Sequence, residues 1–378
     1  MSPHLYIHVP FCISKCSYCA FYSIVDAQQQ QIASYPELIS REIKLRCRDN
    51  ATPRPKSIYI GGGTPSLLGA AGFTDLADQL HRCIDFTNLQ EWSVELNPES
   101  TTRQLLQTLR LAGVNRLTLG VQSFHDSALL AVNRPCSAAC CIDAVQRARS
   151  AGFNNTGIDL IAGLPGVTMT QWLDDLGQAI ALEPMHISVY TLSIEPGTKL
   201  ARQVKQGLSL PDDTEQMDFI ETAEDLLAQE GFNRYEISNY ARPGFECRHN
   251  LGIWRGDDYH GVGPSAVSRF AGMHRENASD FKGWQSALRD NLEPPHTIEE
   301  LTALDDAIQR TLFQLRLRSG INLEECVKKH PVLQEQLNRW QSTLNRMRDL
   351  KLVINNQDRY YLTRRGREVC DSIIRELL

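Results

Sequence analysis

The sequence lacks the features that would place it in several broad classes of protein. It has no low-complexity tract, and no uninterrupted apolar run approaches the roughly 18 residues of a membrane-spanning helix. Its first residues, MSPHLYIHVPFC, lack the charged and apolar regions of a secretory signal peptide. Positive charge is not in excess, since the formal net charge is −6, whereas nucleic-acid binding usually needs a basic surface. We therefore expect a cytoplasmic protein with no membrane span and no nucleic-acid partner.

Cysteine, by contrast, is plentiful, with 11 residues in a chain of 378. Disulfide scaffolds are typical of short secreted chains, so reduced thiols and a metal site are favoured here. The length predicts about two to three domains, or one α/β barrel with an appendage.

Three of the cysteines, Cys12, Cys16 and Cys19, are spaced C-x3-C-x2-C directly after a short apolar strand. This spacing indicates a [4Fe-4S] cluster held by three thiolates, which leaves one iron open to a small-molecule ligand. A closed Cys3His zinc site that includes His8 is the alternative, although zinc ligands usually come in two separate pairs. Three unliganded core cysteines are disfavoured, because polar residues lie between them.

From residue 5 to residue 194 the chain alternates short β-rich apolar runs with longer helical patterns. Strands are predicted at 5–9, 57–61, 92–96, 116–121, 156–163 and 186–192. Helices are predicted near 34–48, 71–84, 101–112, 137–151, 169–182 and 214–230. Repeated βα units require parallel strands with right-handed crossovers, and near-continuous apolar runs are typical of strands covered on both faces. We predict an α/β fold with a partial (β/α)6 barrel.

Chemistry in such barrels takes place at the carboxyl ends of the strands, and unusual residues gather there. The cysteine motif follows the first strand and GGGTPS, residues 61–66, follows the second. Three consecutive glycines let a backbone turn and approach a ligand closely. Polar residues at the remaining strand ends are Glu95, Asn97, Gln122, Asp159 and the segment 190–195.

Two other segments leave alternatives open. Cys136, Cys140 and Cys141 could form a second metal site, but their apolar periodicity favours small residues packed in a helix. Beyond about residue 290 the order helix, helix, wing strand, helix resembles a winged-helix arrangement, which often binds DNA. Arg364, Arg365 and Arg367 lie near the wing, although scattered arginines more often mark a solvated face.

The cysteine motif with Tyr18 before its third cysteine, followed by GGGTPS, resembles the radical S-adenosylmethionine (SAM) superfamily. HVPFC, GGGTPS, VELNPE, GVNRLTLGVQSF, IDLIAGLPG, IEPGT and RHNLGIW together resemble the oxygen-independent coproporphyrinogen III oxidase family, in particular its haem-chaperone branch. The resemblance implies a [4Fe-4S] cluster on the three cysteines, with the amino and carboxylate groups of SAM on the open iron. The SAM contacts that it implies are Tyr6, Tyr18, Gly62, Gly63, Thr64, Glu95, Gln122, Arg134 and Asp159.

Haem is the third cofactor that the resemblance implies. RHNLGIW, residues 248–254, is similar to an H-N-x-x-Y-W signature associated with haem in the chaperone branch. His249 would be the axial ligand and Trp254 would lie against the macrocycle, but Ile253 replaces the tyrosine. We predict a barrel core at 1–240, an extension with a haem-binding loop at 241–285 and a C-terminal helical, winged-helix-like domain at 286–378.

Three features in which the sequence differs from its relatives determine the order of the expected functions. Phe21 stands where the oxidases carry a fourth cysteine, Ala20 replaces an aspartate common in the chaperone branch, and only eleven residues precede Cys12, where the oxidases have a long segment. A haem carrier is therefore expected first, an oxidase forming protoporphyrinogen second, and another radical enzyme acting on a tetrapyrrole third. The implied partners are haem, an acceptor such as a respiratory haem protein, and an electron donor such as a flavodoxin or ferredoxin. The sequence does not distinguish a monomer from a homodimer.

Overall fold

The structure is a computed structural model that describes residues 4–47 and 52–378. Its strands are β1 (His4–Val9), β2 (Phe11–Cys12), β3 (Ile24–Val25), β4 (Ser57–Gly62), β5 (Glu91–Leu96), β6 (Arg116–Gln122), β7 (Thr156–Ala162), β8 (His186–Thr191), β9 (Asn233–Arg234), β10 (Asn239–Ala241), β11 (Tyr259–Val262), β12 (Val267–Phe270), β13 (Met273–Asn277), β14 (His296–Glu300), β15 (Val353–Asn356) and β16 (Arg359–Leu362). Its α-helices are α1 (Gln29–Arg46), α2 (Gly69–His81), α3 (Arg103–Ala112), α4 (Asp126–Ala131), α5 (Ala138–Ser150), α6 (Met169–Ala181), α7 (Lys199–Lys205), α8 (Asp213–Gln229), α9 (Arg248–Trp254), α10 (Phe281–Arg289), α11 (Ala303–Leu312), α12 (Leu323–Lys329), α13 (Leu337–Asp349), α14 (Arg364–Glu368) and α15 (Cys370–Leu377).

A parallel sheet forms the centre of the fold. Strands β1, β4, β5, β6, β7 and β8 pair in this order, each parallel to the next. Parallel neighbours need long crossover connections, and helices supply them here. This arrangement confirms the predicted partial (β/α)6 barrel.

The sheet continues past the six central strands at both edges. Strand β11 pairs parallel to β1, and β12, β13 and β14 follow as antiparallel neighbours. At the other edge β10 and β9 add to β8 in antiparallel pairing. The sheet therefore runs from β14 to β9 as an open, twelve-stranded array.

The predicted strand bounds are confirmed to within one residue, whereas the first helix begins five residues earlier than predicted. Helix α1 starts at Gln29 because a capping box holds its first turn. The Gln28 side chain accepts from the backbone of Gln31, and the Gln31 side chain accepts from the backbone of Gln28. This reciprocal pair satisfies two N–H groups that a helix start would otherwise leave free.

The two faces of the central strands differ in polarity. In β1 the outer residues Leu5 and Ile7 are buried against the helices, while His4, Tyr6 and His8 alternate with them on the inner face. The prediction of near-continuous apolar strands therefore holds for the outer face only. The inner face of the barrel is polar.

The C-terminal region has a hydrophobic core of its own. The first core extends from Leu5 to Leu288, and a second joins buried residues between Ala307 and Leu377. Helices α11 to α13, the β15–β16 hairpin and the last two helices follow the expected winged-helix-like order. The exact division of the chain into three segments stays a prediction.

Arginines near the hairpin attach this region to the barrel. Arg364 forms an ion pair with Asp225 of α8, and Arg367 Nη2 lies 2.6 Å from Glu224 Oε1 of the same helix. These contacts engage two of the three arginines that suggested DNA binding. No helix within the described ranges is both long and apolar enough to cross a membrane.

Candidate functional site

The cysteine motif forms a loop at the carboxyl end of β1. Cys12 ends β2, which pairs with β3, and the backbone N–H of Cys19 donates to the Cys16 carbonyl at 3.2 Å. The loop is also fixed from outside, because the Ser17 N–H donates to the Val132 carbonyl at 2.9 Å. Its three thiols are therefore held at the end of the barrel that was predicted to carry the chemistry.

Hydrogen-bond donors point at the thiols. Thr64 Oγ1 lies 3.6 Å from Cys12 Sγ, and Arg134 Nη1 lies 3.7 Å from Cys16 Sγ. Burial raises the pKa of the Cys19 thiol, the backbone N–H of Phe21 opposes this, and the other two cysteines raise it further. The donors aimed at Cys12 and Cys16 fit a site for anionic sulfur.

The zinc alternative receives no support from the histidine that it requires. His8 Nε2 lies 2.9 Å from the Tyr22 carbonyl oxygen, and its Nδ1 lies 3.1 Å from the Tyr6 hydroxyl. Both ring nitrogens therefore have partners. In the part of the chain that the structure describes, no three His, Cys, Asp or Glu side chains are grouped closely enough for a single metal ion. A cubane is wider than one ion and takes thiolates that stand further apart.

The glycine turn after β4 packs directly beneath the cysteine loop. Gly62 has a φ of +108°, a conformation that favours glycine. A Cβ on Gly63 would lie 2.7 Å from the Phe11 carbonyl oxygen, so a side chain has no room there. The Gly63 N–H donates to the Val9 carbonyl at 2.7 Å, and the Thr64 N–H donates to the Phe11 carbonyl at 2.7 Å. The glycines therefore bring the turn against the cysteine loop.

Two carboxylates lie inside the barrel near this turn. Glu95 accepts from the Tyr59 hydroxyl at 2.7 Å and from the Gly62 N–H at 3.3 Å, and burial raises its pKa. Asp159 Oδ1 is buried without a hydrogen-bond partner. Burial raises the pKa of Asp159 to about 7, Ser188 opposes the shift and Glu95 adds to it. A buried carboxylate oxygen without a donor fits a site that a polar ligand completes.

Gln122 and Arg134 complete the same end of the barrel. Gln122 has a φ of +75° and lies at a register shift between β6 and β7. Arg134 Nη2 donates to Asn97 Oδ1 at 3.1 Å and also to the Gly120 carbonyl. A guanidinium in this position can pair with a carboxylate.

The two tyrosines predicted as SAM contacts lie at different depths. Burial and the neighbouring Cys16 thiol raise the pKa of Tyr18, which belongs to the cysteine loop. Tyr6 lies deeper in the barrel, with its ring 6.4 Å from that of Tyr59. The structure thus brings most of the predicted cluster and SAM residues together at the carboxyl end of the barrel. These residues are Cys12, Cys16, Cys19, Tyr18, Gly62, Gly63, Thr64, Glu95, Gln122, Arg134 and Asp159.

His249 is not in this group and lies at the opposite, amino end of the barrel. It belongs to helix α9 rather than to the predicted loop, and its side chain is only 3% exposed. Its Nδ1 lies 2.9 Å from Ser57 Oγ, and the same oxygen lies 2.7 Å from His4 Nδ1. Burial, with smaller effects from His4 and Arg116, lowers the pKa of His249 to about 3. The prediction of a histidine in a loop is therefore wrong, because the segment is helical and packed into the barrel.

Glu91 anchors the start of α9 at this amino end. Its carboxylate accepts from the backbone N–H of Arg248 at 2.9 Å, from that of His249 at 3.2 Å and from Cys247 Sγ at 3.4 Å. These donors include N–H groups that the first turn of a helix leaves free. Helix α9 also packs so closely that a Cβ on Gly252 would overlap the His4 imidazole.

Trp254, at the end of α9, contacts the C-terminal region. Its ring centroid lies 6.0 Å from that of Phe313 in an edge-to-face arrangement, and the Arg316 guanidinium lies 5.0 Å from its centroid. In this conformation the indole is occupied by protein contacts.

Several residues of this polar interior were not predicted from the sequence. Ser57, Tyr59, Glu91, Arg116 and His186 occur at inner positions of strands whose other face is apolar. The missed signal was the period-two alternation of polar residues within these strands.

Comparison with known proteins identifies close relatives. A sequence profile of the Radical SAM superfamily matches residues 6–179. The chain is 32% identical to "Heme chaperone HemW" from Lactococcus lactis, over 99% of this chain and 96% of that protein. It is 31% identical to the protein of the same name from Bacillus subtilis, over 98% and 99%. Among solved structures, the coproporphyrinogen III oxidase HemN from Escherichia coli, described as a radical SAM enzyme, matches with a TM-score of 0.85 and 25% identity, over 100% of this chain and 90% of that one.

Proposed function

Because the chain belongs to the HemW family of the radical SAM superfamily, we propose that it binds haem and passes it to an acceptor protein. Superfamily membership implies a [4Fe-4S] cluster and SAM. The observation that carries the haem proposal is the match over nearly the full length of proteins named as haem chaperones. A cytoplasmic location and an acceptor such as a respiratory haem protein are part of the proposal.

The cluster and SAM belong, in this proposal, to the carboxyl end of the barrel. Cys12, Cys16 and Cys19 would hold the cluster, and when bound the two groups supply one-electron reductive chemistry. Gly62 and Gly63 would offer backbone carbonyl oxygens to the amino group of SAM, because their N–H groups already donate to Glu95 and to the Val9 carbonyl, and Arg134 would pair with the carboxylate of SAM. Support comes from the donors on the thiols and from the packing of the glycine turn against the cysteine loop. Tyr6, Tyr18, Thr64, Glu95, Gln122 and Asp159 would form the rest of the pocket, and a flavodoxin or ferredoxin would supply the electron.

Haem would bind through His249, but only after the packing around this residue opens. Its imidazole is buried and Nδ1 is paired with Ser57, so the ring reaches an iron only after α9 leaves the barrel. Haem binding would therefore follow helix release. In that case the observed binding rate would level off at high haem concentration, at the rate of release.

A haem titration tests the proposal. After anaerobic reconstitution, a Soret band that saturates with added haem is expected. His249→Ala should lower the haem affinity at least about tenfold. His274→Ala, in strand β13 of the sheet extension, is the matched control and should leave the band unchanged. Haem that fails to bind saturably would contradict the carrier function. A band that persists in His249→Ala would contradict the ligand assignment alone.

Oxidase activity is the second candidate, and the TM-score of 0.85 to HemN favours it. Phe21, at the position of the oxidases' fourth cysteine, counts against it. Incubation of the reconstituted protein with coproporphyrinogen, reductant and SAM separates the two functions. Protoporphyrinogen formed over many turnovers would replace the carrier proposal, and SAM cleaved only with haem present would favour a third reading, a radical enzyme acting on a tetrapyrrole.

A further inference from the structure

Asn97 lies between the two side chains that donate to loop thiols. Its Nδ2 donates to Thr64 Oγ1 at 3.0 Å, and its Oδ1 accepts from Arg134 Nη2 at 3.1 Å. Thr64 and Arg134 in turn contact Cys12 Sγ at 3.6 Å and Cys16 Sγ at 3.7 Å. One amide therefore joins the donors of both thiols.

The chemistry of its neighbours fixes the orientation of this amide. A guanidinium can only donate, so the amide oxygen must face Arg134. A carboxylate can only accept, and Glu99 Oε1 lies 3.2 Å from Asn97 Nδ2. The amide nitrogen is thus directed to Glu99 and to Thr64.

This orientation also fixes the direction of the bond to Cys12. The Thr64 hydroxyl has one hydrogen and can accept as well as donate. Since it accepts from Asn97, its own hydrogen is left for Cys12 Sγ. Thr64 is 1% exposed, so bulk water does not compete for the hydroxyl.

The backbone of Asn97 is held independently of its side chain. Its N–H donates to Ser66 Oγ at 3.3 Å, and its carbonyl accepts from Thr101 Oγ1 at 2.8 Å and from Ser100 Oγ at 3.2 Å. The side chain can therefore be changed while the turn keeps these anchors.

We propose that Asn97 is a positioning residue that directs hydrogen bonds from Thr64 and Arg134 onto two cluster thiolates and so raises the reduction potential of the cluster. Hydrogen bonds to cluster sulfurs withdraw negative charge and favour the reduced state. The proposal rests on the proposed function only in requiring a cluster on the three cysteines. It does not depend on haem.

The test is the midpoint potential of the reconstituted full-length protein, measured anaerobically without SAM by EPR-monitored titration. Thr64→Val keeps the shape of the side chain and removes its hydroxyl, so the potential should fall. Asn97→Ala should lower it further, since Arg134 is also released. In the Thr64→Val background, Asn97→Ala should have a smaller effect than in the unmodified protein, because the two residues share one bond to Cys12.

Thr156→Val is the matched control. This threonine is also buried, but it begins β7 at the amino end of the barrel and lies away from the thiols, so the potential should not change. Iron content and thermal midpoint are measured for every variant. If Asn97→Ala does not fold, Asn97→Asp replaces it, because aspartate cannot donate to Thr64 and the potential should again fall.

An unchanged potential in an Asn97 variant with full cluster content would overturn the proposal, as would fully additive shifts with Thr64→Val. Failure of the unmodified protein to assemble a cluster would instead contradict the cluster assignment under the proposed function. Loss of haem binding alone would leave this inference standing.

Discussion

The two ends of the barrel are built from the same six strands but differ in how complete they are. The carboxyl end carries the thiols, the glycine turn and Asp159, a carboxylate with a partnerless oxygen. At the amino end, helix α9 covers the opening, and Ser57 and Glu91 satisfy its polar groups. The difference teaches that a packed helix closes the amino end, whereas the carboxyl end carries the cysteine motif; in barrels of this kind the carboxyl end usually carries the chemistry and the amino end usually supports stability.

The largest expected effect is the loss of the iron–sulfur cluster from the carboxyl end, with no loss of stability at the amino end. Cys16→Ala removes one of three thiolates and should abolish the iron–sulfur absorbance, while the thermal midpoint of the cluster-free protein stays nearly unchanged. Cys140→Ala, a half-buried thiol on α5, is the control and should load normally. Absorbance spectra and iron analysis provide the measurement. A full cluster in Cys16→Ala would show that the cluster lies elsewhere.

The next effect concerns stability at the amino end. Glu91→Ala leaves the Arg248 and His249 N–H groups without an acceptor. Each buried donor left without an acceptor costs about 1–3 kcal/mol in the free energy of unfolding. Denaturant unfolding measures this cost, and the cluster content of the folded protein should not change. A loss below 1 kcal/mol would contradict the anchoring role.

A smaller change should loosen α9 without unfolding the barrel. Gly252→Ala places a methyl group against His4 and should cost about 1–3 kcal/mol, typical of overpacking. It should also raise the limiting rate of haem binding, because α9 leaves more readily. Gly177→Ala on α6 is the matched control, since open space surrounds that position and alanine favours helix by about 0.5–1 kcal/mol. Equal haem-binding rates in the two variants would speak against release of α9.

The smallest effect, taken over one pH unit, is a pH dependence of opposite sign at the two ends. Asp159, with a pKa of about 7 when folded and about 3.9 when unfolded, binds its proton more tightly in the folded state. Its contribution to stability therefore falls as pH rises from about 4 to 7. His249, with a pKa of about 3 when folded and about 6.5 when unfolded, makes stability fall as pH drops below about 6.5. Each slope is at most about 1.4 kcal/mol per pH unit.

Denaturant midpoints of Asp159→Asn and His249→Gln across this range measure the two contributions. The stability of Asp159→Asn relative to the unmodified protein should rise with pH, and that of His249→Gln should rise as pH falls. The same sign in both variants would remove the contrast between the two ends.

The residues that meet at the carboxyl end could be predicted from the sequence, whereas the contacts at the amino end could not. The physical reason is how far apart the contacting residues lie along the chain. Cys12, Cys16 and Cys19 are close in sequence, and each strand end is marked by a glycine or polar residue that interrupts an apolar run. The contacts of His249 come instead from Ser57 and Glu91, which lie 192 and 158 residues away. No local pattern encodes that pairing. The fold was predictable because alternating strand and helix patterns persist over the first half of the chain.

The contact of Trp254 with Phe313 ties α9 to the C-terminal region, while His249 of the same helix is packed inside the barrel. Release of the helix must then break contacts in two places, so the C-terminal region and the barrel are energetically coupled. By reciprocity of linked equilibria, an acceptor protein that binds the C-terminal region more tightly after Trp254 withdraws would promote release by the same factor. The region farthest from the cysteine loop along the chain would then help to determine when His249 becomes available.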